Sequence, residues 1–281
     1  MNKIRVALIG LGRIAYLLEK DRKREKPCTH AGTYLSFPDS FEICAGMDID
    51  ALKEKEFREL IPDFRFYGKI SDLIHHEKPD VLSVCTPAGT HLEIFRQIKK
   101  TAFVPKLIWL EKPVEIDYKK AFKLKKIQDQ AGFKTLVNHE RRYHPHYLKT
   151  KEIIESEQLG SLKSIRAVMW MKASLKIPPK SGTLLEDGTH LLDILLFLTN
   201  KKSRVISKTN HFFKEKKVEK WSYGLLDLDG IPVFFESGGD REYFHFELDL
   251  SFTRGRIRVG NGFFEVFEEK ESPYSSGGRC F

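Results

Sequence analysis

Short apolar, β-branched runs alternate with helical periodicity through the first half of the chain. IRVALIG (4–10), FEICAGMD (41–48), FRFYG (64–68), DVLSVCTP (80–87), KLIWLEKP (106–113) and KTLVN (134–138) read as strands. Between them the period shifts to that of helices: IAYLLEK (14–20), ALKEKEFREL (51–60), SDLIHHE (71–77) with a serine cap, GTHLEIFRQIKK (89–100), and 117–132 ended by a glycine. Nearly continuous apolar strands separated by helices call for a parallel sheet covered on both faces.

The second half changes character. A helix at about 145–157 precedes a long strand, SIRAVMWMKA (164–173), and a strongly apolar helix, LLEDGTHLLDILLFLTN (184–200). From 204 onward strand patterns dominate: RVISKTNHFF, WSYGLLDLDG, IPVFFESG, YFHFELDLSF, GRIRVGNG and FFEVFEE, with LDLDGIP and FTRGR as hairpin turns. The expected architecture is an α/β N-terminal Rossmann domain over 1–124 and an α+β C-terminal domain over 125–281 with a largely antiparallel open sheet.

Composition narrows the class. With 281 residues, 41% of them apolar and 31% charged, the chain matches a folded two-domain protein rather than a disordered one. It contains no apolar run long enough for a membrane span, and MNKIRVALIG enters a strand directly without a signal-peptide pattern, so a cytoplasmic protein is expected. Cys28, Cys44, Cys85 and Cys280 lack metal-ligand spacing, and no metal is expected. The net charge of +9 raises nucleic-acid binding as a possibility. However, residues 1–124 carry 22 basic and 18 acidic side chains and 125–281 carry 26 and 21, so the excess is spread rather than patched. Solvated surface is the expected reading, with neither nucleic acid nor membrane as partner.

Candidate chemistry then sharpens the picture. Gly10-Leu11-Gly12-Arg13-Ile14-Ala15 follows the first strand as a G-x-G-x-x-A loop, which suits close backbone approach to a pyrophosphate. Asp48 closes the second strand, where a carboxylate accepts ribose hydroxyls; Asp50 is the competing candidate. Asp48 lies farther from Gly10 than the usual roughly 20 residues. Pro27 should break the first helix, making 21–29 an insertion and 30–37 more helix. An acid at this place favours NAD, with NADP possible. Thr86-Pro87 and Glu111-Lys112-Pro113 end strands four and five on the same sheet edge, which puts Lys112 in the expected cofactor cleft. On a helix, Glu186, His190 and Asp193 share a face with Asp187 beside them, a setting for a proton-accepting imidazole; an N-capping acid and a core histidine would give the same pattern.

Together GLGRIA, Asp48, DVLSVCTPAGTHLEI, LEKP, NHERRYHPHY, EQLGSLKSI and GTLLEDGTHLLDILLFL resemble the glucose–fructose oxidoreductase / inositol dehydrogenase / MocA (Gfo/Idh/MocA) family of nicotinamide-dependent oxidoreductases. The resemblance implies that Lys112 is the catalytic lysine, bonded to the reacting oxygen, with a cis peptide before Pro113. It implies His190 at the reacting hydroxyl, supported by Glu186 or Asp187. It places Thr86, Pro87, His91 and Glu111 beside the cofactor with Gly10, Gly12, Arg13 and Ile14. Arg142 and Tyr143, in Arg-Tyr-His-Pro, would line the substrate cleft with Asp187 and His190, or would be a helix-entry motif holding the two domains together. The implied reaction moves hydride between nicotinamide and a secondary alcohol or ketone of a polyol, cyclitol, sugar or sugar nucleotide. His190 exchanges the hydroxyl proton and Lys112 stabilises the alkoxide. A homodimer or homotetramer is implied, through the open sheet, with a C-terminal domain shorter than is usual in the family. A cofactor-binding relative without turnover, acting as regulator or structural partner, is the alternative.

Overall fold

The computed structural model describes residues 2–171, 182–214, 218–239, 241–274 and 276–281. Contacts divide the chain into two compact units, Met1–Asn138 and His139–Phe281. The expected boundary at 124/125 falls inside a helix. That helix, and the strand after it, pack on the first sheet, so the first unit continues to Asn138.

In the first unit, β1 (Ile4–Ile9), β2 (Phe41–Met47), β3 (Arg65–Tyr67), β4 (Val81–Val84), β5 (Leu107–Leu110) and β6 (Thr135–Val137) form one parallel sheet in the order β3-β2-β1-β4-β5-β6. Helices α1 (His30–Leu35), α2 (Leu52–Arg58), α3 (Ile70–Glu77), α4 (His91–Lys100) and α5 (Tyr118–Ala131) connect them. This is the doubly wound order whose reversal beside β1 opens a ligand crevice at the strand carboxyl ends. Apolar side chains alternate to the two faces: Ala7 and Ile9 join a core with Phe95 and Ile98, while Val6 and Leu8 join one with Tyr16 and Phe57. Gly132 ends α5 at φ +70, as the sequence indicates. The expected serine cap is absent from α3: its cap is Lys69, and Ser71 lies within the helix and bonds Asp72.

The first helix departs from expectation. Residues 13–16 form turns and Leu17–Lys20 a short 3-10 segment instead of a continuous helix. The chain then leaves, and on returning donates from His30 N to Ile14 O at 3.1 Å and from Ala31 N to Ala15 O at 2.9 Å. α1 therefore takes up the carbonyls that a continuous helix would have filled from its own next turn. The outgoing segment is tied by Glu19, whose carboxylate accepts from Thr29 Oγ1 at 2.6 Å and Cys28 N at 3.2 Å. This excursion accounts for the long interval between the glycine loop and Asp48.

The second unit contains α6 (Pro145–Glu155), β7 (Leu162–Trp170), α7 (Thr183–Glu186), α8 (Gly188–Thr199), β8 (Ser203–Phe212), β9 (Glu219–Leu228), β10 (Ile231–Gly238), β11 (His245–Phe252), β12 (Gly255–Gly260) and β13 (Phe263–Glu268). Its sheet runs β13-β12-β11-β7-β10-β9-β8, antiparallel except where β10 lies parallel to β7. Residues 172–173, expected to extend β7, lie outside the described residues. One face packs Ile165, Ala167, Leu248 and Leu250 against Leu191, Ile194, Leu195 and Leu198 of α8, each buried side chain contributing about 1.5–3 kcal/mol. The other face carries Arg166, Trp170, Trp221, Tyr223, Phe234 and Glu247. No described helix is long and apolar enough to cross a membrane.

Candidate functional site

The carboxyl ends of β1, β2 and β4 enclose a cleft of about 470 Å³ in the first unit, lined by Gly10, Gly12, Met47, Asp48, Ile49, Cys85, Thr86, Pro87 and Thr90 among others. Gly10 holds φ +87, and a Cβ there would lie 2.5 Å from Thr86 Cγ2, so both backbone sign and packing demand glycine. Beyond its chain neighbours, no atom of the described residues lies within 4 Å of such a Cβ at Gly12; its bare side faces open space. Asp48 Oδ2 accepts from Leu11 N at 2.7 Å and Oδ1 from Asp50 N at 3.0 Å. That fixes the carboxylate beside the glycine loop and leaves each oxygen a further lone pair for a hydroxyl. Asp50 instead turns to Leu52 N at the start of α2. A glycine cradle, an oriented strand-end carboxylate and a crevice at the sheet reversal fit a dinucleotide.

Beyond β5, Glu111 is 8% exposed and Lys112–Pro113 is a cis peptide. Glu111 Oε1 accepts from His30 Nε2 at 2.8 Å and from Asn138 Nδ2 at 2.6 Å. Burial works to raise this carboxyl, but the hydrogen bonds from His30 and Asn138, with the charge of Lys112, outweigh it and hold Glu111 below the ordinary carboxylate range. His91 is fully buried. Its two ring nitrogens lie 2.9 Å from Val114 O and 2.9 Å from Thr86 O, so its polar atoms face backbone carbonyls. The resemblance implies His91 beside the cofactor; in the structure its ring ties together the segments that follow β4 and β5.

In the second unit the acidic helix of the sequence reading is broken. Asp187 leaves helical geometry at φ −121, and α8 starts at Gly188, where a Cβ would lie 2.6 Å from Ser237 Oγ of β10. Glu186 on α7 therefore does not share a continuous helix with His190 on α8. Glu140 places a carboxylate beside His190, its Oε2 3.5 Å from Nδ1. His139 meets the His190 ring edge-on at 5.7 Å. Asp193 pairs with Arg142 through two bonds, 2.7 and 2.5 Å long. That occupies much of the guanidinium expected at the substrate and favours the helix-entry reading of this motif, here within the second unit. Tyr143 is 62% exposed.

Sequence reasoning missed His30, Asn138 and Glu140. Asn138 was legible in principle, as a polar residue closing an apolar strand on the same edge as Asp48, Thr86 and Glu111. His30 carried no such mark, because only the return of the excursion brings it there.

The chain matches the model of the oxidoreductase family with NAD-binding Rossmann fold (Gfo/Idh/MocA) over residues 4–139, and that of the GFO/IDH/MocA C-terminal domain over 147–258. Inositol 2-dehydrogenase of Rhizobium meliloti (strain 1021) is 21% identical over 245 residues, covering 85% of this chain and 67% of the relative. An uncharacterized oxidoreductase of Schizosaccharomyces pombe (strain 972) is 24% identical over 216 residues, 74% of this chain but only 55% of its own length. Among solved structures, the WlbA dehydrogenase from Bordetella pertussis in complex with NADH and UDP-GlcNAcA superposes with TM-score 0.81 at 17% identity, covering 98% of this chain and 85% of that one.

Proposed function

Because the chain belongs to the Gfo/Idh/MocA oxidoreductase family, we propose that it is an NAD-dependent dehydrogenase or reductase acting on a secondary alcohol or ketone of a polyol, sugar or sugar nucleotide. The observation that carries this reading is the sheet edge of the first unit, where the glycine loop, Asp48, Thr86 and the Glu-Lys-Pro turn stand together at the strand carboxyl ends. The nicotinamide ring, when bound, supplies the hydride acceptor or donor.

The chain's own residues do the rest. Gly10 and Gly12 admit the pyrophosphate, and Asp48 takes the adenosine ribose hydroxyls; its negative charge disfavours a 2′-phosphate, hence NAD over NADP. Lys112 donates to the substrate oxygen and stabilises the alkoxide, while His190 accepts the hydroxyl proton in oxidation and returns it in reduction. Glu140, Glu186 and Asp187 are the carboxylates available to orient that imidazole. Self-association through the open sheet face of the second unit is part of the same reading. Its Trp221, Tyr223, Phe234 and Arg166 are residue types that dominate protein interfaces.

The test is steady-state absorbance at the reduced-nicotinamide band over a panel of inositols, sugars and sugar nucleotides. Turnover on at least one class is expected. Lys112→Ala should lower kcat by at least about 100-fold while NADH affinity stays near native. Cofactor binding with no turnover on any panel member, or full activity in Lys112→Ala, would sink the reading.

A further inference from the structure

The carboxylate before Lys112 is held by two groups to which the chemistry above gives no role. Asn138 closes β6 and is itself fixed by its backbone N–H donating to Leu110 O at 2.8 Å. His30 opens α1, is 1% exposed, and packs against Trp109 with ring centroids 4.1 Å apart and planes tilted by 41°. An ionised carboxylate only accepts, so His30 Nε2 carries the proton in the 2.8 Å contact with Glu111. The other ring nitrogen, Nδ1, meets no hydrogen-bonding atom among the described residues. Packing on Trp109 alone would be served better by an apolar ring, because a buried imidazole costs free energy unless it is bonded. Among the described residues, the polar engagement of this buried ring is therefore with Glu111.

On the far side of the lysine, His91 holds Val114 O at 2.9 Å. Residues 111 to 114 are thus pinned before and after Lys112–Pro113. The forward pin is a side chain on a carbonyl. At the rear, Glu111 N donates to Val84 O at 3.0 Å, and the bonds to the Glu111 carboxylate add a side-chain pin to that backbone one, which a substitution can remove by itself. We propose that His30, acting with Asn138, is a positioning residue for the reaction: by holding the Glu111 carboxylate it fixes the backbone from which Lys112 reaches the reacting oxygen. The proposal rests on the assignment of Lys112 made above. Displacing a reacting group by about 1 Å can cost on the order of 100-fold in rate, which makes such a support worth a buried histidine.

The experiment compares His30→Leu, which removes the donor but keeps bulk, with His30→Gln, whose amide nitrogen replaces it. Four quantities are read: kcat, KM, NADH affinity, and acetylation of Lys112 by limiting acetic anhydride, quantified by mass spectrometry against the other lysines. His30→Leu should lower kcat about 10- to 100-fold with KM and NADH affinity within about threefold of native, and should change relative Lys112 acetylation by at least about threefold. His30→Gln should recover most of both effects. Native kcat and native Lys112 labelling in a folded His30→Leu protein would overturn the proposal, as would equal losses in the two variants, which mark packing alone. If His30→Leu does not fold, Asn138→Ala against native protein carries the same comparison of kcat and labelling. Labelling needs no substrate. If the native protein turns over nothing but the labelling shifts as expected, the dehydrogenase reading falls and the positioning stands; turnover with unmoved labelling does the reverse.

Discussion

Two glycines in one loop carry different burdens, and substitution should separate them. Gly10 sits at φ +87 with Thr86 Cγ2 2.5 Å from where a Cβ would stand. Gly10→Ala should cost at least about 2 kcal/mol, from the left-handed conformation and the overlap together, seen as a lower urea midpoint. Gly12 has open space in the same direction. Gly12→Ala should leave that midpoint nearly unchanged and weaken NADH binding about tenfold, or about 1.4 kcal/mol, read by fluorescence titration. At this scale the sequence was informative where a residue type has one physical use. A glycine after a strand and an acid closing the next strand are such cases. It was uninformative for His30, since an imidazole at a helix start looks the same whether or not a carboxylate waits across the sheet.

Among the elements, the strands were legible because their apolar runs and turn residues agree; Asp229 and Gly230, at φ 45 and 90, make the tight β9–β10 turn that Asp-Gly announces. The helices were less so. The apolar positions of 184–200 lapse across Glu186–His190, and the helix breaks inside that gap, at Asp187, with Gly188 packed against Ser237. Such a lapse fits one helix or two offset ones equally well, so the step could not be read from the pattern. The Arg142–Asp193 pair likewise joins the turn after His139 to α8, three residues beyond His190. Asp193 is only 12% exposed, whereas Arg142 is 41% exposed, so solvent moderates the pair. A double-mutant cycle with Arg142→Met and Asp193→Asn should give a coupling of about 1–2 kcal/mol in unfolding free energy. A coupling near zero would return Arg142 to the list of groups available to a substrate.

For the whole molecule, Glu77, at the opposite edge of the first sheet, should contribute to acid stability alongside other depressed carboxylates such as Glu111 and Asp80. It is 1% exposed and accepts from Arg5 Nη2 at 2.7 Å, Arg65 Nη1 at 3.0 Å and Tyr67 Oη at 2.5 Å. Burial pushes its carboxyl upward, but these three hydrogen bonds overcome it and the group lies below the ordinary range. A depressed carboxylate contributes stability in full above its unfolded value of about 4.3 and loses it as pH falls toward the folded value. Urea midpoints should therefore be flat from pH 7 to about 5 and fall below about 4, with Glu77→Gln less stable at pH 7 and shallower in the acid limb. An acid limb as steep in Glu77→Gln as in the native protein would assign the loss to other carboxylates. Division into two units was visible in the sequence; the expected boundary at 124/125 cut short an alternating series that itself ran on through the helix at 117–132 and KTLVN (134–138), as α5 and β6 do. The excursion after the glycine loop has a last consequence. Since His30 and Ala31 complete the hydrogen-bond ladder begun at Ile14 and Ala15, the exposed residues 21–27 behave as a cassette spliced into an otherwise unbroken turn, held at its ends by Tyr16, Glu19 and Thr29. Each doubling of such a loop adds only about 0.6 kcal/mol of closure cost. The length and composition of 21–27 are therefore free to drift, or to be exchanged for foreign sequence, without disturbing the cradle beside it.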